Sequence, residues 1–259
     1  MIFSIDGINT AGDKIHDTLG IIGIKTFQVY DHRFWSQKGI TDLSLYIAPG
    51  DIYGFIGHNG AGKTTTLKCI VGIQGFDSGT IYINGIDLNK EPLKCKQQIA
   101  YIPDNPDLYE YLTGIQYLNF IADIFRLDSG VRTERIREYA EQFGITDSLG
   151  DLISSYSHGM KQKLAIISAL IHKPKLLVLD EPFVGLDPSA SVVLKQNMHE
   201  LCKEGSAIFF STHVLDVAEK LCNKIAIIKN GELVVSGETS ELTHGKSLEE
   251  VFMEVVKGD

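Results

Sequence analysis

The 259-residue chain has room for one large domain, or for one domain carrying an inserted sub-domain. Apolar residues make up 44% of it, enough for a substantial core and too many for a disordered chain. Lys and Arg number 24 against 33 Asp and Glu, and the resulting charge of −9 makes a poor general binder of nucleic acid. Cys69, Cys95, Cys202 and Cys222 form no CxxC pair and have no His at zinc spacing, so reduced, buried thiols are expected. No apolar run approaches the roughly 18 residues of a bilayer helix. The opening stretch MIFSIDGINTAGDKIHD lacks the basic start and apolar core of a signal peptide. A membrane role would therefore need a partner chain to supply the membrane part.

Residues 1–23 show no clear periodicity and are read as an extension without an assigned function. From Ile24 the pattern becomes orderly. GITDLSLYIAPGDIYGFIG reads as strands separated by the Pro49-Gly50 turn, the second over about Ile52 to Ile56. KTTTLKCIVGI has helical character and should end near Gly72 and Gly75. GTIYINGIDL carries the Asn84-Gly85 hairpin signal, and QQIAYIPDNP is a short strand that stops at its prolines. From about Tyr109 to His172 the patterns are helical. In VRTERIREYAEQFGI, for example, Val131, Ile136, Tyr139, Ala140 and Phe143 stand near helical spacing. After Pro174 strands return in KLLVLD, SAIFFSTH and KIAIIKNGELVVSG, the last turning at Asn230-Gly231. Continuous apolar strands alternating with helices imply an α/β sheet buried on both faces.

GHNGAGKTT, comprising Gly57, His58, Asn59, Gly60, Ala61, Gly62, Lys63, Thr64 and Thr65, fits the phosphate-loop pattern G-x-x-x-x-G-K-[ST]. Glycines let backbone N–H groups turn inward around a phosphate. Lys63 can reach the β- and γ-phosphates, Thr64 can hold Mg²⁺, and the following helix points its positive end at the anion. A random chain of this length would match on the order of one time in a hundred. Here the loop also follows an expected strand and precedes an expected helix, as the motif demands.

KLLVLDEP puts Asp180 and Glu181 at the carboxyl end of a buried strand, where ligands sit in open α/β sheets. Asp180 is placed to bind Mg²⁺ through water, and Glu181 to face the terminal phosphate and polarise an attacking water. An ordinary acidic turn is the competing reading, and the loop at Gly57 weighs against it. His213 follows another apolar strand, where a lone His is more often structural. A neighbouring strand position would bring it to the γ-phosphate region. YSHGMKQKLAII looks like a second capped helix start, also suited to an anion.

GHNGAGKTT, YSHGMKQ, LLVLDEP, VGLDP and STH, in this order and spacing, resemble the ATP-binding subunit of an ABC transporter, over the chain from about Ile24 to its end. The resemblance implies a P-loop NTPase fold: a RecA-like mixed sheet with an antiparallel β portion, plus an inserted all-α sub-domain at about 104–173. It implies an ATPase using ATP and Mg²⁺, working as a head-to-tail pair with a second ATPase subunit, either the same chain or a related copy. Such a pair drives a separate transmembrane permease from the cytoplasmic face of the cell membrane, with no nucleic acid involved. ATP on the Gly57 loop of one copy would be covered by the signature of the other, here Ser157, His158, Gly159, Met160 and Lys161 with Gln162 after it. That arrangement accounts for two anion sites in one chain.

By the same resemblance, Glu181 and His213 join Lys63 as catalytic residues, Thr64, Asp180 and Asp104 serve the metal, and Asp187 contacts the opposite subunit. An aromatic ring near the first strands stacks on adenine; Tyr30, Phe34 and Trp35 compete, with Tyr30 preferred. Tyr109, Tyr111 and Leu112 fall where a short helix of the membrane subunit docks, internal packing being their alternative. Two departures stand out. His158 replaces a family Gly, and Asp104 occupies the place of a Gln that contacts Mg²⁺ and the attacking water. An acidic residue there, followed by P-x-L-Y-E-x-L-T, resembles an export-type branch, the EcsA-like group. An alternative is a soluble ABC-type ATPase acting on nucleic acid or ribosomes, although such chains often carry paired ATPase units or long coiled coils, absent here. A GTPase or kinase is disfavoured because NKEP and NKIA lack the Asp of a guanine-selecting N-K-x-D.

Overall fold

The computed structural model describes residues 22–30 and 38–257. Its strands, β1 (Ile22–Tyr30), β2 (Lys38–Ile47), β3 (Ile52–Ile56), β4 (Ser78–Ile83), β5 (Ile86–Asp87), β6 (Ile99–Ile102), β7 (Leu176–Asp180), β8 (Ala207–Thr212), β9 (Lys224–Lys229) and β10 (Glu232–Glu238), form one mixed sheet. Their order is β5-β4-β1-β2-β10-β9-β3-β8-β7-β6. β6, β7, β8, β3 and β9 run parallel to one another. β5, β4, β1 and β2 are antiparallel neighbours. β10 joins the halves: it runs antiparallel to β9 and meets β2 in parallel through Glu232 and Thr41.

The parallel strands are short apolar runs because both faces are covered. Alternate residues supply two cores. Leu177, Leu179, Ile208 and Phe210 share a core with the helices Ser129–Phe143, His158–Leu170, Pro188–Lys203 and Leu215–Leu221, whereas Leu176, Val178 and Phe209 face the opposite way. The latter meet α1 (Lys63–Ile70), and both share one core with Ile22, Leu43 and Ile81 of the antiparallel half. The first helix is thus held between the two halves of the sheet, with its N-terminus fixed at the end of β3. Both Asn-Gly turns have positive φ at both central residues, as tight hairpin turns require: 50° and 77° at Asn84-Gly85, 51° and 82° at Asn230-Gly231.

After the short α2 (Pro92–Lys96) and β6, the chain becomes helical, with α3 (Gly114–Ile124), α4 (Ser129–Phe143) and α5 (His158–Leu170) before β7. Thr113 and Gln116 form a capping box at α3, and Gly144, at φ 66°, ends α4. Ile136, Tyr139, Ala140 and Phe143 make the buried face of α4. Val131 does not join them: it is 37% exposed, because it stands five positions before Ile136, a spacing that falls off the helical stripe. The chain then runs through α6 (Pro188–Lys203), α7 (Leu215–Leu221), α8 (Thr239–Thr243) and α9 (Leu248–Lys257). No helix among the described residues is long and apolar enough to cross a membrane.

The boundary expected after residue 23 falls inside β1. Ile22 is fully buried and pairs with Ile47 and Ile83 on either side, so it belongs to the folded unit. Residues 1–21 lie outside the described residues, as do Phe34 and Trp35; Tyr30 ends β1 opposite Lys38.

Candidate functional site

β3 delivers the chain to Gly57, where no side chain fits: a Cβ there would lie 2.6 Å from the Ile228 carbonyl oxygen and 3.0 Å from the Ala61 Cβ. The loop turns through Gly60 and Gly62, at φ 83° and 107°, conformations that L side chains rarely adopt. Gly62 is the N-cap of α1 and offers no side-chain acceptor, so the first N–H groups of the helix stay available to a ligand. Ala61 accepts from Gly231 N–H at 2.9 Å, which ties the loop to the β9–β10 turn. Asn59, Gly60 and Thr65 line the loop's cavity, and the His58 ring stays exposed, its Nδ1 2.8 Å from Asn59 O. The Lys63 ammonium curls back, donating to Gly57 O at 2.7 Å and to His58 O at 3.3 Å.

The parallel strands bring the carboxylates opposite this loop. Asp180 ends β7 only 1% exposed, and its Oδ2 accepts from the Thr64 hydroxyl at 2.7 Å. Glu181 takes φ 48°, left-handed for a residue with a Cβ, at a typical cost of about 1–2 kcal/mol. Its Oε1 lies 3.0 Å from His213 Nδ1 and 3.7 Å from Lys63 Nζ. Asp104, exposed just beyond β6, accepts from Asn105 N–H. A cavity of about 240 Å³ gathers Asn59, Gly60, Gly62, Lys63, Thr64, Thr65, Asp104, Asp180 and Glu181.

The donor set suits Mg²⁺. Among the described residues no group of three or more His, Cys, Asp or Glu could hold a metal unaided. The cavity does set two hard oxygens side by side, Thr64 Oγ1 and Asp180 Oδ2, 2.7 Å apart. That is close to the roughly 2.9 Å between neighbouring ligands of an octahedral ion with bonds of 2.0–2.1 Å. Mg²⁺ characteristically takes one or two protein oxygens and completes its shell with substrate phosphates and water.

Ser157 to Gln162 lie outside that cavity. Ser157 caps α5, its Oγ accepting from Met160 N–H at 3.3 Å. Gly159 passes close to the loop at 184–187: an added Cβ would be 3.3 Å from Gly185 O. The exposed His158 ring also reaches this loop, 2.8 Å from where a Gly185 Cβ would stand. Lys161 pairs with Glu110, and Gln162 is fully buried with neither amide atom partnered. Asp187 caps α6 through Ala190 N–H and pairs with Lys163 at 2.7 Å; Lys163 is the main reason its carboxyl titrates below the ordinary range.

Two residues at the site went unread in the sequence. Ser211, wholly buried on β8, donates to Asp180 Oδ1 and accepts from Glu181 N–H. The only signal was a hydroxyl closing an apolar run. Tyr101 on β6 faces the α1 side, and its hydroxyl is buried without a partner. Burial, reinforced by Asp180 and Asp104, raises its pKa.

A glycine loop between a buried strand and a helix, facing carboxylates at the ends of neighbouring strands, defines a P-loop nucleotide-hydrolysing protein. The chain belongs to the ABC transporter family, whose pattern, described as "ABC transporter", matches residues 40–184. It is accordingly an ATPase. The chain is 40% identical over 196 residues to the uncharacterized ABC transporter ATP-binding protein YhcH of Bacillus subtilis (strain 168), which covers 75% of this chain and 63% of that protein. It is 35% identical over 225 residues to the ABC-type transporter ATP-binding protein EcsA of the same organism, covering 85% and 91%. A solved structure of the ATP binding subunit of an ABC transporter superposes with a TM-score of 0.86 at 33% identity, covering 91% of this chain and 99% of that one. The family, the mixed sheet with its antiparallel portion and the ATPase activity expected from the sequence therefore hold.

Proposed function

We propose that this chain hydrolyses ATP as one half of a head-to-tail pair and thereby drives a separate membrane permease, in the direction of export. The observation that carries this reading is the division within one chain: Lys63, Thr64, Asp180 and Glu181 share a cavity that Ser157 to Gln162 do not line. A second copy, identical or related, would bring its own signature to that cavity.

In the mechanism, the loop N–H groups and Lys63 bind the β- and γ-phosphates, Lys63 exchanging Gly57 O for phosphate oxygens. Thr64 and Asp180 would hold Mg²⁺, with Asp104 at the edge of the same cavity, and the ion when bound neutralises phosphate charge. Glu181 orients the attacking water, and His213, beside the same carboxylate oxygen, steadies it and faces the γ-phosphate. Across the pair, the Ser157 hydroxyl and Gly159 backbone cover the partner's nucleotide, and Asp187 meets the opposite subunit. Tyr30 is our choice for the adenine platform. ATP favours the closed pair because only there do two chains contact it.

The permease would dock on the helical segment. Tyr109 and Tyr111 are 45% and 75% exposed and stack at 5.9 Å between centroids, with Phe120 packed against Tyr109 at 5.6 Å. Leu112 instead packs toward the core. Such docking puts the chain peripherally on the cytoplasmic face of the membrane. The test is Glu181→Gln, followed by light scattering and phosphate release. ATP should dimerise the variant while turnover stops, whereas rapid steady-state hydrolysis by it would remove Glu181 from this role.

A further inference from the structure

We propose that Ser211 is a positioning residue of the hydrolytic site, whose hydroxyl sets the metal-binding carboxylate and the water-orienting glutamate at once. The proposal rests on the roles given above to Asp180 and Glu181. β7 and β8 pair in parallel with Asp180 opposite Ser211, so the hydroxyl stands beside the last carboxylate of the strand. Ser211 is completely buried at the end of a strand whose other residues are also buried. A hydroxyl there must use its hydrogen-bonding capacity locally.

The use it makes is directional. A serine has one O–H to donate and lone pairs to accept. Asp180 can only accept when ionised, so the O–H is committed to Asp180 Oδ1. The lone pairs then point elsewhere, and Glu181 N–H donates to them at 3.1 Å. Glu181 N–H also reaches the Ser211 carbonyl at 3.2 Å, a shared bond that fixes the first peptide after the strand.

Two consequences follow. Asp180 is gripped on both oxygens, by Ser211 on Oδ1 and by Thr64 on Oδ2, so its plane is set before any cation arrives. Glu181 is held at its left-handed φ of 48°, the conformation that brings its carboxylate to His213 and Lys63. One buried atom therefore orders two groups with different duties. An alanine would leave Asp180 Oδ1 without its donor and Glu181 with the carbonyl alone.

The experiment compares Ser211→Ala, Ser211→Thr and Glu181→Gln in the full chain. Turnover is measured beside Mn²⁺ affinity in the presence of saturating ADP, read from free-Mn²⁺ electron paramagnetic resonance. Ser211→Ala should lose about 10- to 100-fold in kcat and weaken Mn²⁺ about tenfold, with the KM for ATP moving less than threefold. Ser211→Thr, which keeps the hydroxyl, should recover both to within about threefold. Should the alanine variant fail to fold, Ser211→Cys, a weaker donor of similar shape, should fall between the two. Wild-type kcat and Mn²⁺ affinity in Ser211→Ala, beside an inactive Glu181→Gln, would overturn the assignment of Ser211 alone. An active Glu181→Gln would overturn the site reading beneath it as well. A threonine variant no better than alanine would also refute the hydroxyl's role.

Discussion

Gly57→Ala tests whether the loop owes its shape to close packing against the sheet. The new methyl would meet the Ile228 carbonyl oxygen at 2.6 Å, Ile228 Cγ2 at 2.9 Å and Ala61 Cβ at 3.0 Å. None of these can move cheaply. Ile228 sits in β9, between β3 and β10, and Ala61 is anchored to Gly231. Relief must come from the loop, which has to lift by several tenths of an ångström. Overpacking of this kind costs about 1–3 kcal/mol. Lifting also pulls Gly57 O from Lys63 Nζ, now 2.7 Å away, and misdirects the N–H groups that follow. If about 2 kcal/mol must be spent to restore the binding geometry, ATP affinity falls roughly 30-fold. Isothermal titration with ATP, beside a thermal melt, reads both effects. Gly60→Ala is the control: nothing lies within 4 Å of its Cβ, and only its φ of 83° opposes the change. Affinity within twofold of wild type for Gly57→Ala, with an unchanged melting temperature, would refute the argument.

Two further expectations concern buried groups. Tyr101→Phe removes an unpartnered hydroxyl and should stabilise the fold by about 1 kcal/mol without changing turnover, as read by denaturant unfolding and phosphate release. His172 stacks on Phe125 at 3.6 Å between centroids, and burial holds its pKa down at about 4. The unfolded chain, with an ordinary value near 6.5, then binds the proton more readily. The stability from its neutral ring is whole above pH 6.5 and drains as the pH falls toward 4, by roughly 3 kcal/mol in all. In His172→Phe, unfolding free energy measured between pH 7 and 4 should lose that part of its slope; an unchanged slope would contradict it.

The phosphate loop was legible in the sequence because its physics is local: an apolar strand, glycines, one lysine and a helix occur consecutively. Asp180 and Glu181 were read only in company with that loop, since an acidic turn after a strand is common on its own. β1 was not legible. Its nine residues show no clean alternation, and they become a strand only between β2, the next strand along the chain, and the more distant β4. Ser211 is one letter in an apolar run until the β7–β8 register sets it opposite Asp180. His158 stood out in the sequence only as a departure from Gly, and the approach of its exposed ring to Gly185 depends on how the loop at 184–187 folds. The Lys163–Asp187 pair likewise depends on α5 and α6 meeting, which no spacing announces.

The claim that each nucleotide cage is built by two chains is tested most directly by mixing two inactive proteins. Lys63→Ala disables the phosphate loop, and Ser157→Ala with Gly159→Asp disables the signature. Alone, each should hydrolyse almost no ATP. Mixed in equal amounts, half of the pairs carry both lesions on one face and an intact cage on the other, so activity should return to about a quarter of wild type. A mixture no more active than its components would contradict the shared site.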